Sequence, residues 1–162
     1  DTTAIAAQLS NAMTDLRSAI TEVNRRSGIA GKTVRVVVSN YYDPFPSPYV
    51  ACIDTDATAL SGTFWFIGIT SSEQTWIKSQ ISNLNDQIMG EVTYAKSHDT
   101  NISIDLADIS GVMLGHQFCN SDPWVYGPSI DYPVSGSTSN PSPFHPTPAG
   151  QAAVAAIVET TI

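Results

Sequence analysis

The feature that most constrains this chain is the alternation of long helical patterns with short β-branched segments. Apolar residues recur every three or four positions over 3–27 and over 70–95, which predicts two amphipathic helices. TVRVVVS at 33–39 and NISIDL at 101–106 predict strands. Because strands separated by helices pair in parallel, this order predicts an α/β fold with a parallel sheet.

Local signals mark the expected helix ends. Arg25 and Arg26 precede Gly28, which predicts a cationic last turn and a glycine stop for the first helix. Thr147 followed by Pro148 predicts the N-cap and first residue of a third helix near the end of the chain. Two predicted strands are few for a parallel sheet, so we expect this chain to be part of a larger fold.

Length and charge bound the class of protein. A chain of 162 residues suits one domain, here 1–162. The net charge of −8 predicts no binding to nucleic acid or to anionic membrane surfaces. No apolar stretch is long enough to span a bilayer. Since the sequence begins with Asp1 rather than Met, we expect an N-terminus made by processing, by cleavage of a longer chain or by the choice of expressed segment.

The two cysteines, Cys52 and Cys119, lie in loop-like surroundings without a CxxC partner, which argues against a zinc knuckle or a redox motif. If they pair, the closed loop is long enough for about 4 kcal/mol of stabilisation in the chain-entropy model. A disulfide would place the protein outside the cytoplasm. Two buried free thiols in a cytosolic protein remain the alternative.

His145 is the strongest candidate for chemistry. Pro146 disfavours a helical backbone at His145, and Thr147 with Pro148 begins a helix immediately afterwards. A histidine at the N-terminal end of a helix suits the role of a general base. From the local sequence alone, a half-exposed loop histidine without a task is the alternative.

Four segments carry a family resemblance. HPTPAGQ before an alanine-rich helix resembles the last block of SGNH/GDSL hydrolases, and VRVVVSNYYDPFP resembles a strand and active-site loop of that family. The helix through Asn83 and Asn85 resembles its next helix, and SGVMLGHQFCNSDPW resembles a stretch of its secreted actinobacterial members. The resemblance covers essentially the whole chain as the C-terminal half of a three-layer α/β/α sandwich, flavodoxin-like, with a parallel sheet.

The resemblance implies a carboxylic ester hydrolase that works through an acyl-enzyme. The family triad is a GDS serine, an aspartate three residues before the histidine, and the histidine, which corresponds to His145. Ser142 stands at the aspartate position, and we expect it to orient the ring through its backbone carbonyl. Because GDS, GxSxG and GxND are absent from this sequence, the serine, glycine and asparagine blocks are expected on a missing N-terminal portion that stays associated as a partner. The chain by itself should be inactive.

The remaining expectations concern ligands. Tyr41 and Tyr42 follow a strand end, where α/β sheets bind ligands, so they are candidate contacts to an ester of a lipid or an acylated carbohydrate; packing is the alternative. No cofactor is expected, and no metal, because the three histidines lack ligand-like spacing.

Two other functions compete with the secreted esterase or lipase. A noncatalytic SGNH-like module for binding or scaffolding fits the absent motifs and the serine in place of aspartate. A cysteine hydrolase would need a free thiol of Cys119 or Cys52 beside His145. The coding sequence upstream distinguishes the first two, since a GDS and a later GxND would support the enzyme.

Overall fold

A computed structural model describes residues 2–46, 71–118, 120–126 and 144–162. The described residues form helix α1 (Thr2–Ala30), strand β1 (Val34–Ser39), helix α2 (Ser71–His98), strand β2 (Ile102–Ala107) and helix α3 (Pro148–Thr161). This mixed architecture, with a two-stranded parallel sheet, is compatible with the expected α/β class. Cys52, Cys119 and Ser142 lie outside the described residues, and so do the predictions made for them.

The two strands run in parallel with a register that separates two faces. Val34 is opposite Ile102, and the pairing continues to Ser39 opposite Ala107. Alternate residues along each strand therefore share a face. The cluster on one face joins the sheet to α1 and α2 and consists of Ile20, Val92, Ala95, Ile102 and Ile104, with Leu16, Val36, Val38 and Leu106 packed against it. Burying each large side chain there contributes about 1.5–3 kcal/mol.

The end of α1 differs from the expectation. The helix continues through Gly28 to Ala30, and its last turn contains no basic residue. Gly31, with φ of 61°, takes the left-handed conformation, and the amide of Lys32 donates to the carbonyl of Ser27 at 3.1 Å. These bonds satisfy helix-end carbonyls three residues later than predicted. The prediction was wrong because Gly28 serves packing, since a Cβ there would lie 2.9 Å from Nδ2 of Asn101.

An ion pair connects the two long helices. Arg17 donates to both carboxylate oxygens of Glu91 at 2.6 and 2.7 Å, and its guanidinium lies 4.7 Å from the centroid of the Tyr94 ring. The fork geometry of arginine suits a bidentate carboxylate contact. At the other end of α1, the side chain of Asn24 accepts from the amide of Asn101 at 2.9 Å. Polar contacts thus fix α1 against α2 and against the start of β2.

The sheet also holds the end of α3. Arg35 on β1 donates to the carbonyls of Thr161 and Ile162, and it lies 3.1 Å from the carboxylate of Asp105 on β2. A cation at the C-terminal end of a helix compensates the unpaired carbonyls there. Helix α3 is therefore anchored to the strands at its C-terminal end by one arginine.

Strand β1 is less covered than strand β2. Every residue of β1 is exposed or half-buried, and Val34 retains 41% of its accessible surface. In β2, Ile102, Ile104 and Ala107 are buried. A run rich in valine is typical of a parallel strand that is covered on both faces. The exposure of β1 is thus unusual for its sequence.

Replacing a buried isoleucine of the sheet core with alanine should lower stability more than replacing an exposed one. Ile104→Ala should lower the free energy of unfolding by about 2–4 kcal/mol, because Ile104 is only 3% exposed and its loss leaves a cavity. Urea denaturation followed by circular dichroism measures the change. The matched control, Ile29→Ala, removes a side chain that is 74% exposed and should change stability by less than about 0.5 kcal/mol. Equal effects of the two substitutions would contradict the described core.

Candidate functional site

His145 lies in a short backbone pairing between two loop segments. The amide of Tyr126 donates to the carbonyl of His145 at 2.9 Å, and the amide of Thr147 donates to the carbonyl of Trp124 at 2.8 Å. Between them, Val125 and Pro146 form an antiparallel bridge. His145 itself is exposed. The backbone around the imidazole is therefore fixed while the ring is accessible to solvent.

The helix start after His145 forms as predicted. Thr147 is the N-cap of α3 in an extended conformation, with φ of −66° and ψ of 171°, and its hydroxyl accepts from the amide of Gly150 at 3.3 Å. Pro148 occupies the first turn. A capping hydroxyl satisfies one of the free amides of a helix N-terminus, and proline there loses no hydrogen bond. The sequence segment after His145 thus sets where α3 begins.

Gly150 allows the helix to approach the neighbouring loop closely. It is buried, and a Cβ at this position would collide with the carbonyl oxygen of Trp124 and lie 3.1 Å from Cβ of Pro146. That carbonyl accepts from the amide of Thr147, so a displacement there would disturb the pairing beside His145. The absence of a side chain at Gly150 is therefore part of how His145 is held.

The loop after β1 contacts the histidine segment. The hydroxyl of Tyr42 donates to the carbonyl of Phe144 at 2.7 Å. The ring of Phe45, only 1% exposed, lies 5.2 Å from the ring of Phe144. These contacts place the segment of His145 beside the carboxyl end of β1. Ligand sites of open α/β sheets lie at that edge.

The two predicted ligand contacts, Tyr41 and Tyr42, have different surroundings. Tyr41 is 56% exposed, and its backbone exchanges two hydrogen bonds with the side-chain amide of Asn85, at 2.8 and 2.7 Å. Tyr42 is half-buried, and burial raises the pKa of its phenol. The role of both rings as substrate contacts stays a prediction, but the hydroxyl of Tyr42 already has a partner.

The structure brings together a polar cluster that sequence analysis missed. Asn40 follows β1, and its side chain donates to Oδ1 of Asp108 at 2.7 Å and accepts from the amide of Ile109 at 2.7 Å. The hydroxyl of Ser110 donates to the same carboxylate oxygen at 2.6 Å. The sequence did contain a signal for this contact, because Asn40 and Asp108 each come just after a predicted strand. The last residues of these two strands pair in the structure.

Hydrogen bonds alter the acidity of this cluster. The hydroxyl of Ser110, then the amide of Asn40 and the backbone amide of Ser110, lower the pKa of Asp108. Donors directed at a carboxylate stabilise its ionised form. Asp108 is therefore an anionic link between the carboxyl ends of the two strands.

A cleft of about 370 Å³ lies beside this cluster. It is lined by the strand ends and by α2, and its polar walls include Asn40, Asp43, Lys78, Asn85, Asp86 and Asp108. Lys78 pairs with Asp43 at 2.9 Å. His145 does not line this cleft, so the loop of residues 40–46 separates two places: Asn40 faces the cleft, and Tyr42 faces the histidine segment.

The other two histidines have structural partners. His116 stacks on Trp124 with ring centroids 3.8 Å apart, and its Nδ1 lies 2.8 Å from the carbonyl oxygen of Asp122. His98 stacks on Tyr94 with ring centroids 4.0 Å apart. Within the described ranges, no hydrogen bond is found to the imidazole of His145. The imidazoles of His98 and His116, by contrast, each have a hydrogen-bond partner there.

Metal ligands do not converge in the described part of the chain, where no group of three or more His, Cys, Asp or Glu side chains could hold an ion. None of the helices that the structure describes is long and apolar enough to cross a membrane. Comparisons of this chain with protein-family models, with curated proteins and with solved structures give no match.

The close approach at Gly150 can be tested by replacing glycine with alanine at two positions. Gly150→Ala should lower the free energy of unfolding by about 1–3 kcal/mol, because the new methyl group overlaps the Trp124 carbonyl. Gly90→Ala in the middle of α2 meets no atom within 4 Å and should raise stability by about 0.5–1 kcal/mol. Thermal unfolding of both variants measures the difference in sign. Stabilisation by both would contradict the close packing at Gly150.

The strand-end link should be sensitive to acid. Because the folded pKa of Asp108 is lowered, its contribution is present above the unfolded pKa near ~4 and is lost as the pH falls through the folded value. Asp108→Asn should therefore lower the free energy of unfolding by about 1 kcal/mol more at pH 7 than at pH 3, after allowance for the exposure of the carboxylate to solvent. Urea denaturation at several pH values tests this. Ser110→Ala keeps the carboxylate, so its free energy of unfolding should retain part of the dependence on pH. An effect of Asp108→Asn on the free energy of unfolding that is the same at every pH would contradict the link.

Proposed function

We propose that this chain is the C-terminal half of an SGNH/GDSL-type serine hydrolase and that His145 is its general base. The observation that carries the proposal is the exposed imidazole of His145 on a fixed backbone, between the carboxyl end of β1 and the start of α3. A general base needs an accessible ring whose position is set before the substrate arrives. The corresponding complete fold is a three-layer α/β/α sandwich with a longer parallel sheet.

The proposed chemistry is hydrolysis of a carboxylic ester. His145 accepts the proton of a serine hydroxyl, and the serine oxygen attacks the ester carbonyl. The imidazolium then donates this proton to the departing alcohol, which leaves an acyl-enzyme. Water, deprotonated by the same ring, hydrolyses the acyl-enzyme and restores the serine. The nucleophile and the oxyanion-binding groups come from an N-terminal portion of the protein, and this chain supplies the base.

The exposed side of β1 supports a role for such a partner. Val34 is exposed, and Val36, Val37 and Val38 are only half-buried. An apolar edge strand offers unpaired amides and carbonyls to another strand. Among the described residues β1 pairs with β2 alone, and a strand from the N-terminal portion that pairs with its other edge would extend the sheet and cover Val34. We assign the missing portion to this edge.

The proposed substrates are esters of lipids or acylated carbohydrates outside the cell. Tyr41, with its exposed ring, is the proposed substrate contact nearest to the end of β1. Ser142 is the proposed backbone partner of the imidazole, and Cys52 with Cys119 the proposed disulfide of a secreted protein. No cofactor is part of this chemistry.

A second function is favoured by one observation. The cleft beside Asn40 and Asp108 is not lined by His145 and needs no nucleophile to bind a ligand. A noncatalytic SGNH-like module, used for binding or as a scaffold, would use this cleft rather than the histidine. Loss of ligand binding after Asp108→Asn, together with absence of any ester hydrolysis, would favour the module over the enzyme.

The enzyme proposal predicts the behaviour of one histidine. In preparations that contain both portions, His145→Ala should reduce labelling by a fluorophosphonate probe and ester hydrolysis at least about 1000-fold, because the serine loses its base. His98→Ala, at the end of α2, should leave both unchanged. Intact mass and in-gel fluorescence measure which polypeptide is labelled. Labelling that persists in His145→Ala, or that is absent when both portions are present, would overturn the proposal.

A further inference from the structure

We propose that Tyr42 is a positioning residue for His145, which it holds through the backbone of Phe144. This inference rests on the proposed function and concerns how the base is oriented. Its basis is the hydrogen bond of 2.7 Å from the Tyr42 hydroxyl to the Phe144 carbonyl, one residue before His145. The bond joins the carboxyl end of β1 to the histidine segment directly.

The hydroxyl of Tyr42 is suited to a permanent contact. Its side chain is half-buried, and burial raises the pKa of the phenol, so the group stays protonated and donates throughout the neutral range. Pro44 and Phe45, two and three residues later in the same loop, are buried. The carbonyl of Pro44 also accepts from the amide of Phe118 at 2.9 Å. The donor therefore lies on a loop that is itself fixed.

Phe144 has the strained conformation that such a contact must maintain. Its φ of 60° is in the left-handed region, which a bulky residue rarely adopts. Its ring packs on Phe45, and it meets the Phe118 ring edge-on at 6.0 Å. Strained conformations persist only when several contacts determine them together. Those contacts are the tyrosine hydroxyl, the two rings and the hydrogen bond from the amide of Phe144 to the carbonyl of Tyr126.

The strain at Phe144 bears on the direction of the imidazole. After Phe144, the backbone is held by Tyr126 at the His145 carbonyl and by the bridge at Pro146. A change of φ at Phe144 would rotate the peptide between Phe144 and His145. Transfer of a proton requires the ring nitrogen within about 2.6–3.2 Å of the serine oxygen. The amide of Phe144 also donates to the carbonyl of Tyr126 at 3.1 Å, so the pairing holds the chain on both sides of the peptide between Phe144 and His145. The hydroxyl of Tyr42 holds the carbonyl of that peptide itself and so restricts its rotation.

The first experiment uses this chain alone and observes its three histidine rings by NMR. Tyr42→Phe removes one hydroxyl and keeps the ring, so the fold should be retained, with dispersed amide resonances as the check. The carbon-bound ring protons of His145 should shift or broaden, while those of His98 should stay in place. Assignment follows from the signals that disappear in His145→Gln. Unchanged His145 resonances in a folded Tyr42→Phe variant would overturn the inference.

The second experiment measures turnover in preparations that contain both portions. Tyr42→Phe should lower kcat about 10-fold and change KM less than about 2-fold, because a misplaced base slows proton transfer. Tyr94→Phe on α2 removes a hydroxyl remote from the loop and should leave both constants unchanged. If His145→Ala abolishes turnover but Tyr42→Phe changes neither kcat nor the resonances, positioning fails and the hydrolase proposal stands. If the resonances move while His145→Ala has no effect on turnover, the hydrolase proposal fails and the structural link remains.

Discussion

The parallel register of β1 and β2 is the constraint on which the other contacts depend. It places Ile102 and Ile104 beside the valines of β1, where α1 and α2 cover them, and it brings the two strand ends to the same edge. Only because Ser39 is opposite Ala107 can Asn40 reach Asp108. A slip of one residue would move the apolar side chains to the wrong face and separate this pair.

The strand edge and the helix α3 are then joined through short contacts between loops. Each involves backbone groups: the carbonyl of Trp124 accepts from Thr147, the carbonyl of Phe144 accepts from Tyr42, and the carbonyl of His145 accepts from Tyr126. Buried backbone groups need such partners whether or not a site is present. What is particular here is that three of them surround one exposed histidine, so the same bonds that complete the loop also fix its position.

Much of the fold could be predicted from the sequence because its signals are local. Periodicity located the helices and strands, and Thr147 with Pro148 located the start of α3 and the setting of His145. The end of α1 could not be predicted in the same way, since the choice between Gly28 and Gly31 depends on the position of Asn101 in space. The same reason applies to Asn40 with Asp108 and to Tyr42 with Phe144, whose members are 68 and 102 positions apart in the chain.

The edge of β1 that is unpaired among the described residues has a consequence for the order of folding and cleavage. An uncovered apolar edge strand associates readily with other strands, including those of identical chains. Under the proposed function, two portions that fold from one translation product would have this edge covered from the beginning. Any cleavage between them would then follow folding, and the cut would leave a noncovalent complex rather than create two independent proteins.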